Sequence, residues 1–383
     1  MISKNLLLSS LLILGGLSLA KAQEQNVTFS GRLQGIGDTE VRILNSEFTE
    51  IGKTNSLQDS FRLELPVNTE DQRFYILHVP KLGDLGPSMI RPIIFFLTGP
   101  KAVQINAKVV KGSLAEEQIL GSKAHDDFNN TYENLASAKL IKQASADYNK
   151  AFNAYNKEAM TEENKLELKR QGRRGDSLYV VLKSEIMDLV KKDPNSMVNA
   201  MLATQYCPPQ ANAEAISTFL AMFADPVKKQ SYYLQKLTRD LQKFQQIQIG
   251  QLAPDFSLAQ LDEQQVSLSS LKGKYVLLDF WASWCGPCRK EMPHVKAALA
   301  KYAAKNFTVL AVSIDQDRAA WEKALQEDNM PFIHVWDKKD VKSVSNLYMV
   351  KAIPTNFLLD PSGKIIATNL RGDKLDEFLA ETL

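Results

Sequence analysis

Cysteine is scarce in this chain, with three in 383 residues. That count excludes the disulfide framework of a small secreted scaffold. Charge of one sign is not in excess either: the formal net charge is +2, so nothing points to nucleic acid or an anionic membrane surface as a partner. Beyond residue 22 no unbroken apolar run approaches the length needed to cross a membrane. Internal repeats and low-complexity tracts are absent as well. What remains is the composition of an ordinary globular chain, with 44% hydrophobic residues and room for about two or three domains.

The N-terminus carries the one long apolar run: Lys4, then residues 6–19, then Ala20-Lys21-Ala22 in the pattern of a cleavage site. The run is short for a membrane span and is followed by polar Gln23-Glu24-Gln25. Residues 1–22 therefore read as a secretory signal peptide, with an uncleaved N-terminal anchor as the alternative. No cysteine follows the run, which leaves no site for a lipoprotein anchor. The mature chain is expected to be soluble and outside the cytoplasm, periplasmic or secreted, where disulfides form and must be managed.

Residues 23–112 alternate apolar and polar positions at the strand period. Strands are expected at 27–33, 40–44, 60–65, 74–79, 93–97 and 103–109, with turns at Gly35-Ile-Gly37, Asn55-Ser56, Gly83 and Thr98-Gly-Pro100. This is a small antiparallel β domain, without an acid pair, a metal cluster or a glycine-rich phosphate loop. From 113 to 248 the period becomes helical. Helices are expected at 126–156, 164–170, 177–191, 196–206, 212–224 and 228–246. The basic cluster Lys169, Arg170, Arg173 and Arg174 reads as a solvated loop broken by Gly172 and Gly175. Cys207, beside Pro208-Pro209, is a buried inert thiol or a partner in a mixed disulfide.

Residues 249–383 then run through an α/β pattern. A hairpin-like entry at 250–271 leads to a central strand at 276–281, and a helix at 287–304 follows. A strand at 307–313, a helix at 318–327, an edge strand at 332–336 and a short helix at 341–348 come next. Strands at 355–359 and 364–368 form a hairpin through Asp360-Pro-Ser-Gly363, and a helix at 373–382 closes the domain.

Between the central strand and its helix stands Trp284-Cys285-Gly286-Pro287-Cys288. A strand that delivers two cysteines to the first turn of a helix is a chemical arrangement. The unpaired N–H groups and positive dipole end of the helix favour a thiolate over a thiol. Cys285 sits at that end and Cys288 one turn inside, so the outer sulfur is the candidate nucleophile and the inner one the resolving thiol.

At these residues the sequence resembles the thioredoxin superfamily, over about the last third of the chain. The resemblance implies a redox-active Cys285–Cys288 disulfide. It matches Asp279 to a buried acid that accepts a proton from the inner thiol; in an apolar strand its pKa is expected to be raised. Ile353-Pro354-Thr355 matches the cis-proline loop that faces the dithiol and binds extended substrate backbone. Together with Trp284, Gly286 and Pro287, Ile353 and Pro354 are the candidate substrate-binding residues. The lead-in Gly250-Gln-Leu-Ala-Pro-Asp-Phe256 and the run Arg289-Lys-Glu-Met-Pro293 are similar to the TlpA-like secreted thiol-disulfide oxidoreductases, which include cytochrome-maturation reductases. In those an acid at the place of Glu291 tunes the thiols. Both acids are present here, which leaves open which one handles the proton. Residues 23–112 look similar to the β-rich domain of unknown function that often precedes such a domain.

Competing chemistries fit less well. A structural zinc site wants four ligands, and the only cysteine beyond the pair is Cys207, with His294 the histidine near in sequence. Covalent haem attachment needs His after the second cysteine, where Arg289 stands. A peroxiredoxin would carry Pro at 278 and Thr or Ser at 282, where Leu278 and Ala282 stand. The expected function is a protein-disulfide reductase needing no metal or organic cofactor, acting on protein or peptide disulfides and drawing electrons from a donor at the membrane. The alternatives are a partner-binding protein with an accessory thioredoxin domain, and a disulfide oxidase or isomerase. Substrate identity and oligomeric state have no signature in the sequence.

Overall fold

The computed structural model of the chain describes residues 24–68, 73–83, 92–97, 99, 101–110, 112–158, 160–338 and 343–383. The signal segment 1–22, turn residues Thr98 and Pro100, and the start of the helix expected at 341–348 lie outside them. The chain divides into two compact units. One is built on residues up to Ala203 with Gln230–Tyr232, the other on Thr204–Lys229 with Tyr233–Leu383.

Among its described residues the first unit opens with eight strands: β1 Glu24–Gln34, β2 Glu40–Leu44, β3 Glu50–Asn55, β4 Ser60–Asn68, β5 Phe74–His78, β6 Ile93–Phe96, β7 Ala102–Val110 and β8 Ser113–Leu120. They form two four-stranded sheets, ordered β4-β1-β7-β8 and β3-β2-β5-β6. All pairings are antiparallel except β1 with β7, which is parallel. Alternate residues of both sheets, among them Val27, Phe29 and Leu33 with Ile43, Leu77 and Phe95, share one buried core. Phe29 and Phe95 meet edge to face across it, with centroids 5.9 Å apart.

β8 corrects the expectation of helix from residue 113. Its alternation is hidden by a bulge: Lys108 pairs with Ala115 and Asn106 with Gln118, so Glu116 and Glu117 together oppose one residue of β7. Glu116 takes a positive φ of 53° there, and Leu114 and Ile119, of opposite parity, both face the core. The bulge erases the period of two on which a sequence reading depends.

Three helices follow: α1 Lys123–Glu133, α2 Ala136–Asn153 and α3 Glu162–Lys192. Ser122 caps α1, accepting from the His125 N–H and donating to the Phe96 carbonyl of β6. α3 corrects the loop expected at 169–175, because it runs unbroken through Gly172 and Gly175. Its ends suit a long helix: Thr161 caps it, Glu162 and Glu163 lie in the first turn, and Lys191 and Lys192 lie in the last. Two of the four basic residues are paired, Arg170 with Glu167 and Arg174 with Asp147 of α2. The remaining helices are α4 Met197–Tyr206, α5 Ala213–Leu220, α6 Asp225–Gln230 and α7 Tyr232–Gln246.

In the second unit a small hairpin, β9 Ser257–Ala259 with β10 Gln265–Ser267, precedes β11 Tyr275–Trp281 and α8 Gly286–Tyr302. Then come β12 Phe307–Ser313, α9 Arg318–Asp328, β13 Ile333–Trp336, α10 Val344–Leu347, β14 Thr355–Leu359, β15 Ile365–Thr368 and α11 Asp373–Thr382. The sheet order is β13-β12-β11-β14-β15, with the β13–β12 and β12–β11 pairings parallel and the β11–β14 and β14–β15 pairings antiparallel. This is a thioredoxin fold, and β11 lies at its centre. Leu277 of β11 packs in a cluster with Val295 and Tyr302 of α8 and Leu375 and Leu379 of α11. Leu278 and Phe280 face the other side, with Trp321 of α9, Tyr348 and Phe357.

Candidate active site

β11 ends at Trp281, and Cys285 is the N-cap of α8. The Cys288 N–H donates to the Cys285 sulfur at 3.2 Å, so an orphan amide of the first turn is satisfied by the outer sulfur. Pro287 sits in that turn, where its missing N–H is no loss. Cys285 and Cys288 are joined in a disulfide of 2.01 Å, and both are buried, Cys288 completely. Trp284 beside them is 67% exposed. A side chain added at Gly286 would meet nothing among the described residues within 4 Å. Bare backbone and an exposed indole thus flank the outer sulfur.

The Ile353–Pro354 peptide bond is cis. Ile353 packs against the apolar cluster that contains Cys285 and Cys288. The Thr355 hydroxyl donates to the Ala352 carbonyl at 2.7 Å and closes the loop on itself.

Asp279 is 3% exposed. It shares the parity of Leu277, and so points to the α8 and α11 side of the sheet. Its pKa is pushed up to about 7, chiefly by burial and further by the charge of Glu291, against the opposing pull of Arg371. Glu291 accepts from the Gly372 N–H at 2.5 Å. The structure therefore brings the dithiol, both acids and the proline loop to one end of the sheet, at the carboxyl ends of the parallel strands.

Four residues that no motif singled out belong to the same region. Asp315, buried just beyond β12, accepts from the Ser283 N–H at 2.9 Å, the Ser283 hydroxyl at 2.6 Å and the Ser313 hydroxyl at 2.7 Å. Ser283 precedes Trp284, so this carboxyl group fastens the loop that presents the dithiol. An acid immediately after a parallel strand was the available signal. Arg371 donates to the Pro354 carbonyl, and Asn356 holds the backbone at Leu370. The lead-in has a structural part: the Tyr348 hydroxyl donates to the Pro254 carbonyl at 2.6 Å, and Phe256 meets the Tyr348 ring edge-on.

A thioredoxin fold presenting a disulfide at a helix N-terminus defines a thiol-disulfide oxidoreductase. Residues 249–368 match the AhpC/TSA family. The thiol-disulfide oxidoreductase ResA of Oceanobacillus iheyensis is 36% identical over 138 residues, covering 34% of this chain and 71% of the relative. ResA of Bacillus thuringiensis subsp. konkukian is 33% identical over 141 residues, covering 37% and 80%. Among solved structures, the thioredoxin domain of a thiol-disulfide oxidoreductase from Bacteroides vulgatus is 39% identical, covering 35% of this chain and 97% of that one, with a TM-score of 0.34. A thiol-disulfide oxidoreductase from Bacteroides fragilis is 37% identical, covering 35% and 100%, with a TM-score of 0.33. The chain belongs with these thiol-disulfide oxidoreductases, and the AhpC/TSA match describes its residues 249–368.

Proposed function

We propose that the chain is a reductase of protein or peptide disulfides, working in the periplasm after removal of residues 1–22. The observation that carries this reading is the Cys285 sulfur at the cap of α8, accepting from the Cys288 N–H and bonded to a fully buried partner. In the reduced enzyme the Cys285 thiolate attacks one sulfur of a substrate disulfide. That bond breaks, a Cys285–substrate disulfide forms, and the other substrate sulfur leaves as a thiolate that takes up a proton. Cys288 gives its proton to Asp279 or Glu291 and attacks the Cys285 sulfur, which releases the second substrate thiol and closes the Cys285–Cys288 bond. Two electrons pass from the dithiol to the substrate, so the cysteine pair itself is the carrier and no metal or organic cofactor enters. A dithiol donor at the membrane returns two electrons and two protons.

Extended substrate backbone lies along Ile353-Pro354, against Trp284, Gly286 and Pro287. Gly286-Pro287 between the cysteines favours the reducing direction. Equilibration with glutathione tests it: a potential near roughly −270 mV is expected, and one near roughly −120 mV would make the protein an oxidant instead. Cys288→Ser should stall at the mixed disulfide and carry its substrates through purification. Recovery of no disulfide-linked partner from cells would count against protein substrates.

A further inference from the structure

Asn356 and Arg371 belong to no motif, yet between them they join three residues of the site. Asn356 lies in β14, two positions after Pro354 and directly across the ladder from Asp279. It is 1% exposed, and its carboxamide is spent on a single backbone unit. Nδ2 donates to the Leu370 carbonyl at 2.8 Å, and Oδ1 accepts from the Leu370 N–H at 2.9 Å. The Asn356 carbonyl accepts from the Asn369 N–H at 2.8 Å. Three hydrogen bonds thus fix the connection between β15 and α11 against the strand that follows the proline loop.

From that anchor the next two residues reach back into the site. The Arg371 guanidinium donates to the Pro354 carbonyl. The Gly372 N–H donates to Glu291. Gly372 has φ 54° and ψ −135°, a backbone conformation open to glycine and strained for any residue with a Cβ. Asp279 is faced by Glu291 from α8 and by Arg371 from the approach to α11. Its ladder partners on β12 and β14, Ala311 and Asn356, carry no charge. Arg371 is thus the positive group that faces the buried acid.

Resting on the disulfide-exchange reading above, we propose that Arg371, held in place by Asn356, is a positioning residue of the redox site. It fixes the proline loop through the Pro354 carbonyl and supplies the positive charge that faces the buried acid. Substrate backbone binding and the proton relay then depend on one side chain outside the dithiol helix. The direction of its effect on Asp279 agrees, since Arg371 opposes both burial and Glu291.

Arg371 is exposed, so its replacement should leave the fold intact. The test uses the full-length mature protein, wild type, Arg371→Met and Arg371→Lys, with matched denaturation midpoints. The carboxyl carbon of Asp279 is titrated by NMR in the oxidised state, and KM is measured for insulin and for hydroxyethyl disulfide, which has no peptide strand. Arg371→Met should raise the Asp279 midpoint by about half a pH unit or more, and Arg371→Lys should restore it. KM for insulin should rise about fivefold in Arg371→Met, and KM for hydroxyethyl disulfide should stay within about twofold. An Asp279 midpoint that does not move in Arg371→Met would overturn the assignment, as would equal changes in KM for the two substrates. The titration needs no substrate: a wild-type protein that exchanges no disulfide defeats the functional reading, and the unmoved midpoint alone defeats the role of Arg371.

Discussion

The Ser283 hydroxyl donates to the Asp315 carboxyl group at 2.6 Å, across 32 positions of sequence. The Ser283 N–H and the Ser313 hydroxyl share the same acceptor. Asp315 and Ser313 are buried and Ser283 is half-buried, so the Ser313 hydroxyl has no water to turn to and the Ser283 donors have limited access to it. Asp315→Ala would strand three donors at once, and each unmet donor carries a desolvation penalty. A loss of about 3 kcal/mol in the stability of the thioredoxin unit is expected, against about 1 for Asp315→Asn, which keeps an acceptor. Guanidinium denaturation followed by tryptophan fluorescence measures both, and equal stability of wild type and Asp315→Ala would show that the loop is held some other way.

Asp279 makes a signed prediction about pH. Its folded pKa, about 7, lies above the ordinary value of 3.8. Between those values the unfolded chain gives up its proton and the folded chain keeps it, so the folded state binds more protons and stability falls as pH rises through that window. The loss is complete above about pH 7 and amounts to roughly 4 kcal/mol as an upper figure. Asp279→Asn has no proton to lose. Relative to wild type it should gain about 2–4 kcal/mol between pH 4 and pH 8. Denaturation of the two oxidised proteins at both pH values checks this, and a constant difference would mean that Asp279 is ionised when folded.

Gly175 lies within α3, and a methyl group added there meets nothing among the described residues within 4 Å. Gly175→Ala should therefore stabilise the first unit by about 0.5–1 kcal/mol, through helix propensity alone. If these residues formed a loop, the substitution would change little. Thermal unfolding monitored at 222 nm decides between the two.

Gly31 in β1 is the opposite case. A Cβ there would fall 1.7 Å from the Ile105 carbonyl oxygen of β7, and backbone cannot swing aside as a side chain can. Gly31→Ala should cost at least about 3 kcal/mol or prevent the β unit from folding. Soluble yield and the urea midpoint report it; a variant that folds like wild type would mean that β1 and β7 do not approach so closely.

The parts of the fold and site that could be read from the sequence are those with local signatures. Cys285 and Cys288 announce themselves by spacing, β11 by its apolar run, and the proline loop by its place before β14. β8 could not be read, because the bulge at Glu116 moves Leu114 and Ile119 out of step. α3 was obscured because Gly172 and Gly175 look like breakers until the caps at both ends and the pairing with α2 are seen. The supports of the site lie beyond sequence reasoning for a third reason. Asp315 reaches Ser283 and Arg371 reaches Pro354 across many positions, so nothing in either neighbourhood hints at the other.

β1 is an interior strand of its sheet, flanked by β4 on one side and β7 on the other. During synthesis it meets β4 early, through nearby residues, but its second edge stays bare until residues 102–108 have emerged. A nascent fragment that stops short of β7 carries a row of unsatisfied amides and carbonyls beside Val27, Phe29 and Leu33, and this is the surface on which extended chains aggregate. Holding factors that shield such stretches have their window there, and it shuts when β7 arrives.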